Sequence, residues 1–174
     1  IAGETDYFYA PLANRLGLYH IETELENLSF RYRCPRDFAV LESMLEAERE
    51  ADKPRLTRFT DLIDKIMQEH GLDVRTEIRY RMPYSIWRKM QAKGCDLKHV
   101  DGKHYIRIIY PVCAGVSEKA MSLLIYSALT DHFKEKPGSV ANYIDAPKEN
   151  GYQSFHVKLL SEQGIWEEVH ISSE

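Results

Sequence analysis

The strongest constraint on the fold is a change of hydrophobic period at Gly71. Upstream, apolar residues recur at three- and four-residue steps, the spacing that lines one face of an α-helix. Leu18, Ile21, Leu25, Leu28 and Tyr32 form one stripe, and Phe38, Leu41, Met44 and Leu45 form a second, opened by Pro35. Leu56, Phe59, Ile63, Ile66 and Met67 form a third, opened by Pro54 and closed by Gly71. Proline suits the first turn of a helix, where its missing N–H has no partner to lose, and glycine suits the stop. Three helices with their stripes packed as core are expected. Downstream the period is two. In "DVRTEIRYR", Val74, Ile78 and Tyr80 take one face and Arg75, Glu77, Arg79 and Arg81 the other, as in a half-buried strand.

The remainder alternates between the two patterns. A helix is predicted from about Pro83 to Lys93, a strand in "HYIRIIY", and a helix in "SEKAMSLLIYSALTDHF" with Ser117 as its N-cap. "NYIDAP" reads as a short extended piece, and "YQSFHVKLL" and "GIWEEVHIS", joined by "SEQG", as a β-hairpin. Helices followed by β-α-β-α-β-β predict an α+β fold, a mixed sheet flanked by helices and preceded by an all-helical segment.

Charge narrows the function. The net charge of −4 conceals a basic segment, since residues 73–110 carry nine Lys/Arg against four Asp/Glu while the regions on both sides are acidic. A local anion site is expected, not the broad basic face that nucleic acid requires. No apolar run approaches membrane-spanning length, and the N-terminal residues do not follow a signal-peptide pattern. Its three widely spaced cysteines form neither a disulfide framework nor a metal knuckle, which fits a reducing cytoplasm. A chain that begins at Ile1 without Met and ends just after a strand-like run is expected to be part of something longer.

Four groups of residues can carry chemistry. Arg79 and Arg81 share a strand face, and Arg81, Ser85 and Lys89 follow at four-residue steps around a helix start. Such a set makes a phosphate cradle or a solvated basic face. In "APKENGYQSFHVKLL", Tyr152, Ser154, His156 and Lys158 alternate with Phe155, Val157 and Leu159. Tyr152 can stack on a nucleobase while Lys148, Asn150, Gln153 and His156 supply hydrogen bonds; the competing reading is a wet edge strand. In "GIWEEVHIS", Trp166, Glu168 and His170 share one face and Glu167, Val169 and Ile171 the other. Glu168 can then serve as a general base facing Tyr152 and His156, although most strand glutamates are simply solvated. Cys95, His99, Asp101 and His104 are metal-ligand types, but their spacing matches no compact zinc pattern.

Taken together, three stretches resemble the RelA/SpoT family of alarmone synthetase/hydrolases. "ETDYFYAPLANRLGLYHIETELENLSFRYR" is similar to the helical connector after the family's hydrolase domain, and "RYRMPYSIWRKM" and "NYIDAPKENGYQSFH" are similar to two of its synthetase motifs. The resemblance implies a connector over residues 1–70 and a nucleotidyltransferase-type synthetase domain over 71–174. It implies a cytoplasmic, bacterial domain of the stringent response, acting on ATP and GDP or GTP. Its partners would be hydrolase and C-terminal regulatory domains lying elsewhere on the chain. The implied reaction moves the β,γ-diphosphate of ATP to the 3′-hydroxyl of GDP or GTP, with Mg²⁺. Tyr152 would stack on guanine, with Lys148, Asn150 and His156 holding that nucleotide. Arg79, Arg81, Ser85, Lys89 and Arg107 would serve ATP, and Glu168 would take the hydroxyl proton.

Departures from the family pattern fall on the metal and triphosphate side. Gly102 stands where the family has a Mg²⁺-holding Asp, with Asp101 one residue away, and a one-residue shift in a strand reverses a side chain's face. Ala141 and Asn142 replace a Lys and an Asp, His170 and Ser172 replace a Gln and an Arg, and Arg81 replaces a Lys. Either the synthetase is weakened, with Asp101 a possible substitute ligand, or the domain is an inactive guanine-nucleotide sensor controlling an attached hydrolase.

Overall fold

The computed structural model describes residues 2–112, 115–148 and 151–174. Packing divides the chain into two compact units, Ile1–Lys53 with Tyr80–Lys103 and Pro54–Arg79 with His104–Glu174. This is a different partition from the connector and synthetase segments that the resemblance implies.

The first unit is helical. It holds α1 (Ala2–Glu4), a π-helical turn (Thr5–Tyr9), α2 (Ala10–Arg15), α3 (Tyr19–Arg33) and α5 (Pro83–Lys93), with the first part of α4 (Pro35–Glu69). Its core gathers Phe30, Phe38, Leu41, Leu45, Ile86, Leu97 and Val100. The α3 stripe departs from expectation: Leu18, Ile21, Leu28 and Tyr32 are all more than 40% exposed. The packed side of α3 carries Phe30 and polar ties instead. Asn27 Oδ1 accepts from the Tyr84 N–H at 3.2 Å, and Arg88 donates to Glu26 at 3.2 Å. Periodicity says which residues share a face; the neighbours decide which face is covered.

Pro54 is the second departure. It does not open a third helix but lies inside α4, a single helix of 35 residues. A proline there forfeits one i→i−4 hydrogen bond. The flanking Ala51, Lys53, Arg55 and Leu56 are good helix formers and carry the run through. The helix stops as expected at Gly71, whose φ of +67° suits glycine. The N–H groups of Gly71 and Leu72 bond the Gln68 and Met67 carbonyls at 3.0 and 2.9 Å.

The second unit holds the sheet, in the order β1-β2-β5-β4-β3. The strands are β1 (Arg75–Tyr80), β2 (His104–Tyr110), β3 (Ala141–Asn142), β4 (Phe155–Leu160) and β5 (Trp166–Ser173). β2 runs parallel to β5, whereas β4 is antiparallel to both β5 and β3, so the sheet is mixed. Helix α6 (Glu118–Thr130) is capped by Ser117, whose Oγ accepts from the Ala120 N–H at 3.1 Å. One sheet face is core: Ile106, Ile108, Val157, Leu159, Val169 and Ile171 are buried, as are Leu56, Ile63, Ile66 and Met67 of α4 and Ile125 and Leu129 of α6.

β4 begins at Phe155, three residues later than the alternation from Tyr152 suggests. Ser154 is buried and donates to the Ile171 carbonyl at 3.1 Å. That bond removes Ser154 from the polar row and breaks the alternation just before the strand.

Candidate active site

The face of the sheet opposite the core is lined by Tyr105 and Arg107 of β2, Glu168, His170 and Ser172 of β5, and His156 and Lys158 of β4. Strand registers fix this arrangement, with His170 level with Arg107 on one side and His156 on the other. The result is a row of rings. Tyr105 stacks on His170 at 4.1 Å between centroids, and His170 stacks on His156 at 3.6 Å with the planes 5° apart. Tyr143 and Tyr152 meet His156 edge-on at 5.0 and 5.8 Å. The Lys148 ammonium sits 4.7 Å from the Tyr143 ring centroid and 5.1 Å from that of Tyr152, a cation–π arrangement that holds positive charge at the end of the row.

Polar groups tie the row together. The Tyr152 hydroxyl and His156 Nε2 are 3.0 Å apart, and Glu168 Oε1 and His170 Nε2 are 2.6 Å apart. Arg107 donates through Nε and Nη2 to Ser172 Oγ at 3.3 and 3.2 Å. Gln153 is exposed, and Asn150 lies outside the described residues.

Glu167 explains why Glu168 faces this way. It is 1% exposed, ion-paired with Arg55, and bonded to His104 Nε2 at 2.8 Å. With Glu167 held inward, the two-residue period of β5 turns Glu168 outward. The His104 imidazole is thereby engaged with Glu167, and His99 pairs with Asp96. The set Cys95, His99, Asp101 and His104 is not among the groups of potential metal ligands that come together in the described residues.

The basic residues fall in both units. In the first, Arg81 Nε donates to the Gly102 carbonyl at 2.8 Å, and Lys89 Nζ lies 3.3 Å from that oxygen and from the Asp101 carbonyl. Arg81 and Lys89 therefore converge, with the partly buried Ser85 midway in sequence. The Asp101 carboxylate is 82% exposed and 3.8 Å from Lys93 Nζ. In the second unit Arg79 is paired with Glu77 on β1.

Sequence reasoning did not assign Tyr105, Tyr143 or His170 to the site. The signal for two of them was present: Tyr105 shares strand parity with Arg107, and His170 with Glu168. Tyr143 stands in a two-residue strand's exit, where no period exists to place it.

Comparison with known proteins decides the family. The profile described as "Region found in RelA / SpoT proteins" matches residues 78–174. The chain belongs to the RelA/SpoT family. It is 34% identical over all 174 residues to the bifunctional (p)ppGpp synthase/hydrolase SpoT of Escherichia coli, covering 24% of that protein. It is 36% identical over 171 residues to the GTP pyrophosphokinase of Myxococcus xanthus, covering 98% of this chain and 22% of that one. It thus spans about a quarter of the length of the curated relatives it matches. Among solved structures, small alarmone synthetase 2 from Bacillus subtilis superimposes with a TM-score of 0.56 at 23% identity, covering 74% of this chain and 71% of that one. Small alarmone synthetase 1 from the same organism, bound to its product pppGpp, gives 0.52 at 18% identity, over 76% and 72% of the two chains. The α+β fold with a mixed sheet is that of the alarmone synthetases.

The RelA/SpoT family implies Mg²⁺, and the residues of the ring-lined face do not fit it. Mg²⁺ demands near-octahedral oxygen coordination. In the first unit, Gly102, which the family resemblance sets in place of a metal-holding Asp, has no carboxylate to offer, and its φ is +66°. Among the described residues, the group that brings three possible ligand atoms together is His156, Glu168 and His170, within 4.8 Å of one another. Two nitrogens and one carboxylate are a poor set for that ion.

Proposed function

We propose that this RelA/SpoT domain binds GDP or GTP on the ring-lined face of its sheet and carries a GTP pyrophosphokinase-type centre whose transfer is slow. The observation that carries the reading is a single face holding Tyr152, Lys148 and His156 together with an outward carboxylate, Glu168. An aromatic ring with an adjacent cation and imidazole suits a nucleobase and its phosphates. In the transfer, Glu168 takes the proton of the nucleotide 3′-hydroxyl. The freed oxygen attacks the β-phosphorus of ATP, the α–β bridging bond breaks, and AMP departs. Arg79, Arg81, Ser85, Lys89 and Arg107 are assigned to ATP on the family resemblance.

Slowness rests on one resemblance and one observation. On the family resemblance Gly102 stands where the family has a metal-binding Asp, and the Glu168 carboxylate is engaged by His170 at 2.6 Å. A hydrogen bond to a charged group is worth about 1.5–3 kcal/mol, and Glu168 must weaken it before accepting a proton. That same bond favours a second reading, in which the domain senses guanine nucleotide and controls an attached hydrolase.

The test is labelled ATP with GDP or GTP, comparing wild type with His170→Gln. Slow formation of labelled (p)ppGpp, rising about 10-fold or more in the variant, is expected for the synthetase. No product from either protein, with nucleotide binding retained, selects the sensor. Absence of GDP and GTP binding would sink both.

A further inference from the structure

We propose that Lys134, Lys136 and Lys158 form a binding site for a chain of condensed phosphate groups, beside Trp166 at the end of the sheet face away from Tyr152. An extra extended segment builds it. Glu135 bridges Leu159 in antiparallel fashion, outside the named strands. The Lys136 N–H donates to the Lys158 carbonyl and the Leu160 N–H to the Lys134 carbonyl, both at 2.9 Å. Glu135 Oε2 accepts from the Tyr126 hydroxyl of α6, so this side chain turns towards the core. Alternation then sends Lys134 and Lys136 to the opposite face, the one that carries Lys158, Trp166 and Glu168. In keeping with that, the Lys136 ammonium lies 6.0 Å from the centroid of the Trp166 ring. The turn after Lys136 is pinned as well. The Lys158 N–H donates to Ser139 Oγ at 3.0 Å, and the Ser139 N–H to the Lys136 carbonyl at 3.1 Å.

Charge decides the ligand. Lys134 and Lys136 are exposed and Lys158 is half-buried. Among the described residues, no carboxylate lies within ion-pair distance of any of the three. Glu168 stands opposite Lys158 in the register but is engaged by His170 at 2.6 Å, and Glu135 is on the other face. Neighbouring strands lie about 4.8 Å apart, and alternate residues of one strand about 6.7 Å apart. Three cations are thus held close together with no anion between them, and like charges so placed repel. A di- or triphosphate carries several negative charges along a flexible chain and can meet all three ammonium groups, which suit phosphate as point-charge donors. The Trp166 ring braces Lys136 by a cation–π contact.

None of these lysines is assigned to guanine, so the site does not rest on the function proposed above. Free polyphosphate and the triphosphate of a nucleotide share the chemistry, and the test separates them.

Inorganic tripolyphosphate is titrated into the protein at physiological salt while NMR follows the indole N–H signals of its two tryptophans, Trp87 and Trp166. A saturable shift of the Trp166 signal is expected. Lys136→Met and Lys158→Met should each weaken that response about 10-fold, while leaving any response of Trp87, which lies on α5 with Ser85 and Lys89, unchanged. Lys119→Met, which removes a lysine paired with Asp145 at 2.7 Å, should change neither. The wild-type shift is a readout that stands even if a variant fails to fold. A tighter Trp166 response to GTP than to tripolyphosphate, absent with guanosine, assigns the site to a nucleotide's phosphates; an equal or tighter response to tripolyphosphate assigns it to free polyphosphate. No Trp166 shift at millimolar tripolyphosphate, a shift matched by sulfate at equal ionic strength, or a response to a single-stranded oligonucleotide alone would overturn the site. GDP binding is scored separately, and its absence removes the guanine reading while leaving the tripolyphosphate result standing.

Discussion

Arg55 and Glu167 form the buried ion pair that aims the candidate base, and its removal gives a sharp prediction. The Glu167 side chain is 1% exposed and that of Arg55 12% exposed. Arg55→Ala leaves the carboxylate buried with His104 Nε2 at 2.8 Å as its remaining partner. Removing one member of a buried pair costs about 3–5 kcal/mol, because the remaining charge is desolvated without compensation. His104 remains, so the lower end, about 3 kcal/mol, is expected. For a chain of this size that corresponds to a melting temperature lower by about 6–12 °C. Arg55→Met combined with Glu167→Leu removes both charges and should lie within about 1 kcal/mol of wild type or above it. Urea denaturation followed by circular dichroism reads all three proteins. An Arg55→Ala variant within about 0.5 kcal/mol of wild type, or a double variant worse than the single, would refute the reasoning.

Two further predictions concern parts of the fold away from the site. The Tyr126 phenol is pushed up to about 12, first by its hydrogen bond to the Glu135 carboxylate and then by burial. Since the folded value exceeds the ordinary 10.0, its contribution to stability is complete below about pH 10 and is lost as pH rises towards 12. Burial also raises Tyr84 and Tyr110, so the spectrophotometric titration is read as a difference: one late phenolate should return towards the ordinary value in Glu135→Gln, and an unmoved late phase would contradict the assignment. Gly94, at the C-cap of α5, has φ +59°, and nothing lies within 4 Å of the position a methyl group would take there. Gly94→Ala should therefore cost about 1–2 kcal/mol through backbone strain alone, with Gly94→Asn costing less in the same denaturation assay.

Much of the sheet was legible because the strand period is strict. Val157, Leu159, Val169 and Ile171 are buried where alternation puts them, and Glu168 faces away from them. Ser117 caps its helix because a short hydroxyl side chain before an apolar run has few other roles. The misreadings share a cause, which is that a neighbour overrode a local rule. Pro54 signals a helix start, yet good helix formers on both sides absorbed it into α4. The stripe from Leu18 to Tyr32 is helical but faces outward, because polar ties to α5 fix the other side. Ser154 left the polar row for a backbone carbonyl of another strand. At the site, parity placed His170 beside Glu168, but only the pairing of β4 with β5 makes it a stacked partner of His156. No periodicity contains that information.

The most direct test of the central claim is calorimetry of GDP binding to the wild type, Tyr152→Phe and Tyr152→Ala. Base stacking on an aromatic ring is worth about 1–3 kcal/mol. Tyr152→Ala should thus bind GDP at least about 5-fold more weakly, while Tyr152→Phe, which keeps the ring and loses the hydroxyl near His156, should stay close to wild type. Equal affinity in all three, with the variants folded, would contradict a guanine site on this face.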